Sequence, residues 1–160
     1  MADIILDGRV KVWSVPTISN IAAPTTAELN AGISLALYMP KDGVKGVMPD
    51  TGEVDNTKLN STYGTSLPGL GELKPGSLTF FRQTGTDTVW STFVKDYNTN
   101  LVIRRQGSLE TAAWALTDKV EVFPIQCGFR QDQDFAENEL QKYTVPIFFY
   151  LTPNQVAVVA

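Results

Sequence analysis

The sequence contains no histidine among its 160 residues and a single cysteine, Cys127. Without an imidazole, the chain has neither a Ser-His-Asp triad nor a Cys-His pair, and zinc sites that need a histidine ligand are excluded as well. One cysteine forms no disulfide within the chain and no CxxC redox motif, so nothing demands an oxidising compartment. These two absences exclude most of the common designs of hydrolases and zinc proteins.

Long hydrophobic runs and an excess of basic residues are also missing. No stretch approaches the roughly 20 apolar residues of a transmembrane helix, and the first nine residues, MADIILDGR, lack the basic start and apolar core of a secretion signal. We therefore expect a soluble protein made in a cytoplasm. Thirteen Lys and Arg stand against 17 Asp and Glu, a formal net charge of −4, which gives no global basic surface for nucleic acid.

The apolar residues follow the pattern of a mainly β protein with one domain over residues 1–160. Apolar residues make up 43% of the chain, and this length is sufficient for one core. Alternation predicts strands at 9–15, 33–37, 77–83, 101–103, 119–130 and 143–151. Within 119–130 the apolar positions change from even to odd, and Pro124 at the change has no N–H for a ladder, which predicts a β-bulge or an edge.

Two helices interrupt the strands. Thr25 and Glu28 have capping-box spacing, which predicts a short helix that ends near Ala31. Apolar residues at 89, 90, 93, 94 and 97 share one face of a second helix, with Asp87 as its N-cap. The expected architecture is a sandwich or barrel of antiparallel strands flanked by one main α-helix.

Residues 39–76 form the least regular part of the chain. This 38-residue connection holds seven of the 12 glycines and four of the nine prolines. A structureless connection of that length either has a function or is disordered. Recurring apolar side chains favour a packed surface, such as that of a neighbouring subunit, over water; they include Val44, Val47, Met48, Leu59, Tyr63, Leu67 and Leu70.

The end of the chain also favours an oligomer. The strand at 145–151 is apolar on both faces, which is unusual for a solvated antiparallel sheet but also fits the centre of a sandwich. The C-terminal arm at 152–160 carries Val156, Val158 and Val159. Such a β-forming terminus needs a cover, either from its own sheet or from another chain.

Glycine-rich and acidic segments give no sign of a cofactor or metal site. The run GLGELKPG at 69–76 lacks the Gly-Lys-Ser/Thr of a phosphate loop. Asp50, Glu53 and Asp55 miss the spacing and the closing glutamate of a calcium loop. Cys127 alternates in phase with Ile125 and Phe129 and is expected to be buried and inert. We expect no cofactor and no metal.

Four acids between the last two strands are the best candidates for carboxylate chemistry: Asp132, Asp134, Glu137 and Glu139. A glycosidase can catalyse hydrolysis with two carboxyl groups and without histidine. Nothing around these four predicts the raised pKa that one of them would need, and they are typical of a solvated hairpin loop. The adjacent Arg104 and Arg105 point to opposite faces of a strand, which suits an intersubunit salt bridge better than a phosphate groove. We expect no enzyme.

Three runs resemble the middle of a major tail tube protein of long-tailed, non-contractile bacteriophages. They are VDNTKLNSTY at 54–63, SLPGL at 66–70 and KPGSLTF at 74–80, and the helix that follows stands where that family has its helix. The strand at 119–130, the acidic hairpin and Tyr143, which opens the final strand, complete the resemblance. It spans roughly residues 33–151.

The resemblance implies a structural protein without catalysis. Members of that family form hexameric rings that stack into a hollow tube through which DNA passes, and a long loop reaches neighbouring subunits. The implied partners are copies of the chain itself, tape measure, tail terminator and distal tail proteins, with DNA in transit only and no membrane. The implied location is the virion tail, assembled in the cytoplasm of the bacterial host.

Charge agrees with that implication. Six chains at −4 give about −24 per ring, which repels DNA if part of the acid faces the bore. We therefore expect some of Asp132, Asp134, Glu137 and Glu139 to line the bore or a ring interface. The loop at 39–76 and the arm at 152–160 are expected to form subunit contacts.

Two other readings remain open at the level of sequence. One is a monomeric β-sandwich that binds carbohydrate or protein through exposed aromatics such as Trp13 or Trp114. The other is the tube subunit of a related bacterial injection machine. The long loop and the apolar C-terminus need a partner chain in a tube and have no role in the monomeric module.

Overall fold

The computed structural model of the protein describes residues 5–160, so the start of the N-terminal run that lacks a secretion signal lies outside the described residues. Strands dominate this range, as the sequence predicts. The elements in chain order are β1 (Lys11–Val15), α1 (Thr26–Asn30), β2 (Ile33–Ser34), a 3₁₀ turn (Ala36–Tyr38), β3 (Val44–Lys45), β4 (Asp50–Asp55), β5 (Ser66–Glu72), β6 (Gly76–Phe81), α2 (Thr88–Thr92), β7 (Asn98–Arg104), β8 (Lys119–Cys127), β9 (Gln131–Asp132), β10 (Lys142–Phe149) and β11 (Asn154–Val158).

Nine of these strands form one antiparallel sheet. Its order is β2-β1-β7-β8-β10-β6-β3, with β11 paired to β8 and β9 paired to β10. β4 and β5 pair only with each other, in a separate two-stranded sheet. The prediction of a mainly β, antiparallel fold is confirmed.

The centre of the sheet is buried on both faces. On β8, the odd residues Phe123, Ile125 and Cys127 belong to one apolar cluster, whereas Val120 and Val122 belong to another. Successive side chains of a strand point to opposite faces. The change from even to odd apolar positions along β8 therefore arises because its first half contributes to one core and its second half to the other.

Of the two alternatives predicted at Pro124, a β-bulge or an edge, the β-bulge is wrong and a local edge is present. The register between β7 and β8 runs without a shift from Asn98 opposite Gln126 to Ile103 opposite Glu121. Pro124 lies instead where the neighbour on the other side of β8 changes, since β11 pairs as far as Val122 and β10 pairs from Ile125. The proline therefore occupies a gap between two ladders, where a missing N–H costs little.

The larger core is formed mainly by side chains of the sheet, from β1, β6, β7, β8 and β10. Val89 and Phe93 from the helix region pack against fully buried side chains of β6 and β10, including Phe80, Tyr143 and Ile147. The smaller core lies on the opposite face, where Leu29 of α1 meets residues of β1, β7, β8 and the C-terminus. Each helix thus contributes a buried side chain to one of the two cores.

Both helices are five residues long, so the expected main helix at 89–97 is shorter than predicted. Asp87 caps it as predicted, accepting a hydrogen bond from the Trp90 N–H at 2.9 Å. The helix ends at Thr92 because its C-cap, Phe93, has a non-helical ψ of 72°. The chain then turns through Asp96, whose φ is 67°, to enter β7. Likewise, the strand predicted at 33–37 covers only Ile33–Ser34 before the 3₁₀ turn.

The predicted capping box at α1 is present, and Glu28 is its centre. Its carboxylate accepts hydrogen bonds from the Ser19 hydroxyl at 2.6 Å and from the backbone N–H groups of Thr25 and Ser19, both at 2.9 Å. The Ser19 hydroxyl contributes most, and together these donors lower the pKa of Glu28 from 4.5 to about 2. Glu28 therefore joins the segment before α1 to the start of the helix.

Glu28→Gln should remove a stabilisation that depends on pH. Because the folded-state pKa is lowered, the stabilisation is present above the ordinary pKa near 4.5 and is lost as the pH falls toward 2. The difference in unfolding free energy between wild type and Glu28→Gln, measured by urea titration, should be constant above pH 6 and shrink toward pH 3. Glu137→Gln, on an exposed acid, serves as the control. A difference that does not vary with pH contradicts this assignment.

Candidate assembly surfaces

A β-hairpin that stands apart from the main sheet replaces the structureless connection expected at 39–76. β4 and β5 pair from Asp50 opposite Glu72 to Asp55 opposite Ser66, with one register shift between them. Beyond the strands, Thr57 and Thr65 exchange hydrogen bonds of 2.9 and 3.2 Å. A two-stranded sheet with nothing packed on it is marginal in water, so this segment depends on another surface for lasting order.

The hairpin exposes apolar side chains along its length. Leu59 is fully exposed, and Leu70 and Tyr63 are 86% and 81% exposed. Leu67 lies directly opposite Val54, and each is about half exposed. Strands of this length extend about 20 Å, so these side chains lie well away from the core.

The loop that joins β4 to β5, residues 56–65, is almost free of charge. It contains Lys58 as its one ionisable charge and no acid. The four acids of the hairpin lie on its strands, with Asp50 and Glu72 at the root and Glu53 and Asp55 farther along β4. At the root, Lys74 pairs with Asp50 at 2.7 Å and with Glu72 at 3.8 Å. The hydrogen bond between Lys74 and Asp50 lowers the pKa of the carboxyl and raises that of the ammonium group.

Two glycines close the root of the hairpin. A Cβ at Gly76 would lie 2.6 Å from the Lys45 carbonyl oxygen and 3.0 Å from that of Gly46. Gly46 itself has a φ of +70°, a conformation that favours glycine. Here the two chain segments approach so closely that a side chain has no space.

The residues predicted for subunit contacts in this segment divide into two groups. Leu59, Tyr63, Leu67 and Leu70 are exposed on the hairpin. Val47 is 5% exposed and belongs to the larger core, Val44 packs against that core, and Met48 is 45% exposed at the root. Sequence alone gave no signal to separate the hairpin from its root.

The C-terminal arm is covered by its own sheet, which was one of the two covers left open by the sequence. β11 pairs with β8, and Ala157 and Val159 are buried in the smaller core. Val156 and Val158 point the other way and are 85% and 41% exposed. The arm thus contributes one apolar row to the core of its own subunit and exposes another row to solvent.

β10 shows the same division between its faces. Tyr143, Val145 and Ile147 are fully buried, while Phe148 is 47% exposed. Tyr150 and Leu151, just beyond the strand, are about half exposed. The two-faced apolar pattern at 145–151 therefore provides one buried face and one exposed face.

The four acids lie together on an exposed loop between β9 and β10. Asp132 pairs opposite Tyr143 at the start of the loop, and all of residues 131–141 are exposed. Within the described part of the chain, none of Asp132, Asp134, Glu137 and Glu139 forms an ion pair. Phe135 among them is 95% exposed and Leu140 is 70% exposed. Sequence reasoning missed these two, although an apolar residue within an acidic run was the available signal.

Each of the adjacent arginines pairs within its own subunit, at positions where the sequence offered an intersubunit salt bridge. Arg104 is fully buried and donates to Asp118 at 2.9 Å and to the carbonyl oxygens of Ser108 and Leu109. Arg105 donates to both oxygens of Glu121 at 3.1 Å. They do point to opposite faces, as predicted.

The tryptophans proposed for a carbohydrate-binding module are not exposed platforms. Trp114 is 6% exposed and packs edge-to-face on the half-buried Trp13, with ring centroids 5.7 Å apart. The buried Lys11 lies over both rings, with its Nζ 4.6 Å from the Trp114 centroid. This cluster fixes the loop between β7 and β8 onto the sheet and presents no aromatic face for a sugar.

Reactive or metal-binding groups are not assembled anywhere in the described residues. Burial raises the pKa of the Cys127 thiol to about 12, in keeping with a 2% exposed core residue. No cluster of three or more potential metal ligands occurs within residues 5–160. No helix in that range is long and apolar enough to cross a membrane.

A cleft of about 670 Å³ opens beside the root of the hairpin. It separates the β1 and β7 end of the sheet from β3 at the other end. Its walls are mainly apolar and include Val10, Leu37, Met39, Val44, Met48 and Ile103. Its charged residues are Asp7, Lys41, Arg105 and Glu110.

Comparisons with known proteins agree with this architecture. The family described as phage tail tube protein matches residues 1–160. No curated protein matches the sequence. Similar folds occur in the baseplate of the anti-feeding prophage (TM-score 0.63, 10% identity, 98% of each chain) and in the sheath-tube complex of an extracellular contractile injection system, PVC (TM-score 0.60, 10% identity, 96% of this chain and 93% of that one). The PVC sheath/tube terminator is similar too (TM-score 0.58, 11% identity, 94% and 95%).

Truncation of a leucine should have little effect on the unfolding free energy when the leucine lies on the hairpin and a large effect when it lies in the core. Leu70→Ala should change the unfolding free energy of the monomer by less than about 0.5 kcal/mol, because the side chain is 86% exposed. Leu78→Ala, a matched change at a fully buried side chain, should cost about 2–5 kcal/mol. Urea unfolding at low protein concentration measures both. A large loss for Leu70→Ala would show that the hairpin packs on its own subunit.

Proposed function

This chain belongs to the phage tail tube protein family over its whole length, and we propose that it is a structural subunit that forms hexameric rings stacked into a hollow tail tube. The β4–β5 hairpin carries this proposal. It holds Leu59, Tyr63, Leu67 and Leu70 in water, with no packing partner in its own subunit. An exposed apolar surface of this kind is typical of a protein interface.

The geometry of the hairpin favours open-ended growth. A projection from one part of a subunit that packs on a different part of the next makes a head-to-tail contact, which generates closed rings or continuing stacks. Val156 and Val158 of the C-terminal arm and Phe148 of β10 supply further exposed apolar rows. Subunit contacts through the hairpin and through these rows together support both rings and stacking.

The negative net charge of the chain supports a tube through which DNA passes. Six chains at −4 give about −24 per ring, and a bore of that sign neither neutralises phosphates nor retains the duplex. The unpaired acids Asp132, Asp134, Glu137 and Glu139 are the residues that would line the bore or a ring interface.

The proposed partners and location follow from the proposal that the chain forms a tail tube. The tube would contact the tape measure protein inside and the terminator and distal tail proteins at its ends, with DNA in transit and no membrane. The subunit would assemble in the cytoplasm of the bacterial host and function in the virion. It would have no catalytic role.

A second candidate is the tube subunit of a bacterial injection machine. The observation in its favour is the similarity of fold to chains from the anti-feeding prophage and from PVC, which are contractile systems. The motifs at 54–80 favour a tube without a sheath. Isolation of the native particle distinguishes the two, because a sheath around the tube would support the injection machine.

Purified protein should form hollow tubes with sixfold end views in negative-stain electron microscopy. A variant with Leu59→Ser, Tyr63→Ser and Leu70→Ser should remain folded but stay in small species, because its hairpin has lost apolar surface. A variant with Leu109→Ser and Leu116→Ser, which are exposed outside the hairpin, should still form tubes. Particles of 17.5 kDa at every concentration of the wild type would contradict the proposal and favour a monomeric binding module.

Replacing Asp132, Asp134, Glu137 and Glu139 by Lys should make the tube retain DNA that would otherwise pass through it. The change adds 8 charges per chain, so a ring goes from about −24 to about +24. If the acids line the bore, tubes of this variant should hold short DNA that is protected from nuclease. If they lie at a ring interface, the variant should not assemble.

The matched control reverses Asp50, Glu53, Asp55 and Glu72 on the hairpin, with the same change of charge. It should not give DNA protected within the tube. A reconstruction of the tube with all four loop acids on the outer wall would contradict their assignment.

A further inference from the structure

The cleft beside the hairpin root is an apolar cavity that reaches down to the larger core. Its volume of about 670 Å³ lies in the range of small-molecule sites. Val12, Val47 and Ile103 line it, belong to the larger core and are at most 6% exposed. Leu37, which also lines it, is 77% exposed. The deep part of the cleft is therefore fixed by the packed core, and its outer part leaves apolar surface in water.

The charged side chains around the cleft leave one acid without a cation. Lys41 pairs with Asp7 at 3.2 Å. Arg105 pairs with Glu121 at 3.1 Å. Glu110 is the remaining charge of the lining, and it forms no ion pair within the described residues. The cleft thus combines apolar walls with a single uncompensated negative charge.

The carboxylate of Glu110 has capacity for a further donor. Glu110 is partly buried, and its side chain accepts one hydrogen bond, from the Ser34 hydroxyl at 3.3 Å, whereas an ionised carboxylate has about four acceptor sites. Burial lowers the pKa of the nearby Lys11, and Glu110 opposes that effect. The ammonium group of Lys11 donates to the Ala112 carbonyl oxygen and forms no ion pair with Glu110. A positively charged donor in the cleft would therefore find an acceptor.

These two features together discriminate among apolar ligands by the charge of their head group. An anion would meet the like charge of Glu110. A neutral chain would cover Leu37 but would take water from the carboxylate of Glu110 without replacing its hydrogen bonds. A ligand with an apolar chain and one ammonium group covers the wall and donates to the carboxylate, in a charge-assisted hydrogen bond.

We propose that the cleft binds a small organic cation, with its apolar part against Val10, Leu37 and Ile103 and its ammonium group on the carboxylate of Glu110. All of these residues lie in the body of one subunit, outside the β4–β5 hairpin. The site is therefore complete in a single chain and does not rest on the proposed tube assembly.

Methionine methyl groups provide a direct readout of binding. The chain has three methionines, and two of them, Met39 and Met48, line the cleft. Free subunit labelled with ¹³C at these methyl groups is titrated with n-octylammonium, 1-octanol and octanoate, which share a chain and differ in head group. Both methyl signals, assigned with Met39→Leu and Met48→Leu, should shift saturably. The expected dissociation constant is roughly 1 mM for octylammonium, about threefold higher for octanol and higher still for octanoate.

Glu110→Gln should remove the preference for the cation. The dissociation constant of this variant for octylammonium should rise about threefold, to the value for octanol, while its affinity for octanol stays unchanged. Glu137→Gln removes the same charge from the exposed acidic loop and should behave as wild type. Leu37→Ser should weaken the binding of both ligands by a similar factor, because it removes part of the apolar wall.

Three results would overturn the inference. They are shifts that do not saturate, octanoate that binds as tightly as octylammonium, and a Glu110→Gln variant that keeps the wild-type preference. Binding to the free subunit that disappears in assembled tubes would also overturn it, because a segment of another copy would then be the occupant of the cleft. The titration uses the free subunit, so its failure leaves the proposed function standing, and failure of tube assembly leaves this site standing.

Discussion

Burial of both faces of the central strands is the constraint on which the rest of the structure depends. β7 and β8 contribute side chains to two cores at once, with Leu101 and Ile103 on one face and Val102 on the other. A sheet of this kind needs a cover on each face. Val89 of α2 contributes to one core, and Leu29 of α1 together with the C-terminal strand contributes to the other. The short helices are therefore held by their contacts with the sheet and contribute little stability alone.

This arrangement separates the part of the chain that packs on itself from a hairpin that forms a sheet of its own. The buried ion pair of Arg104 with Asp118 and the Lys11 cluster on the two tryptophans hold the loop between β7 and β8 against the sheet. The β4–β5 hairpin has no comparable attachment beyond its root. Folding of the body and ordering of the hairpin are therefore separate events with separate sources of free energy.

Sequence predicted the elements whose pattern arises inside the subunit. The alternation at Val145, Ile147 and Phe149 identified β10, and the spacing of Thr25 and Glu28 identified the start of α1. Both signals depend on local geometry and on burial within one chain.

The hairpin was missed because its strands contain Gly52, Pro68, Gly69 and Gly71 and do not alternate toward a core. The second helix was predicted too long since Val94 and Tyr97 keep a helical spacing, although the chain has already turned at Asp96. For the surfaces, apolar composition identified Leu59, Tyr63 and Leu70 but could not distinguish them from Val47, whose burial depends on tertiary structure.

The two glycines at the hairpin root determine the direction in which the β4–β5 hairpin leaves the body of the subunit. With no side chain between Gly46 and Gly76, the two segments lie in contact, and the angle at which the hairpin leaves the body is set by backbone alone. A change of about 10° at this pivot would displace a tip about 20 Å away by about 3.5 Å, which is close to the spacing between neighbouring residues of a strand. A single added methyl group at either glycine would therefore strain the pairing of β3 with β6 in its own subunit and would also change the direction in which the hairpin points.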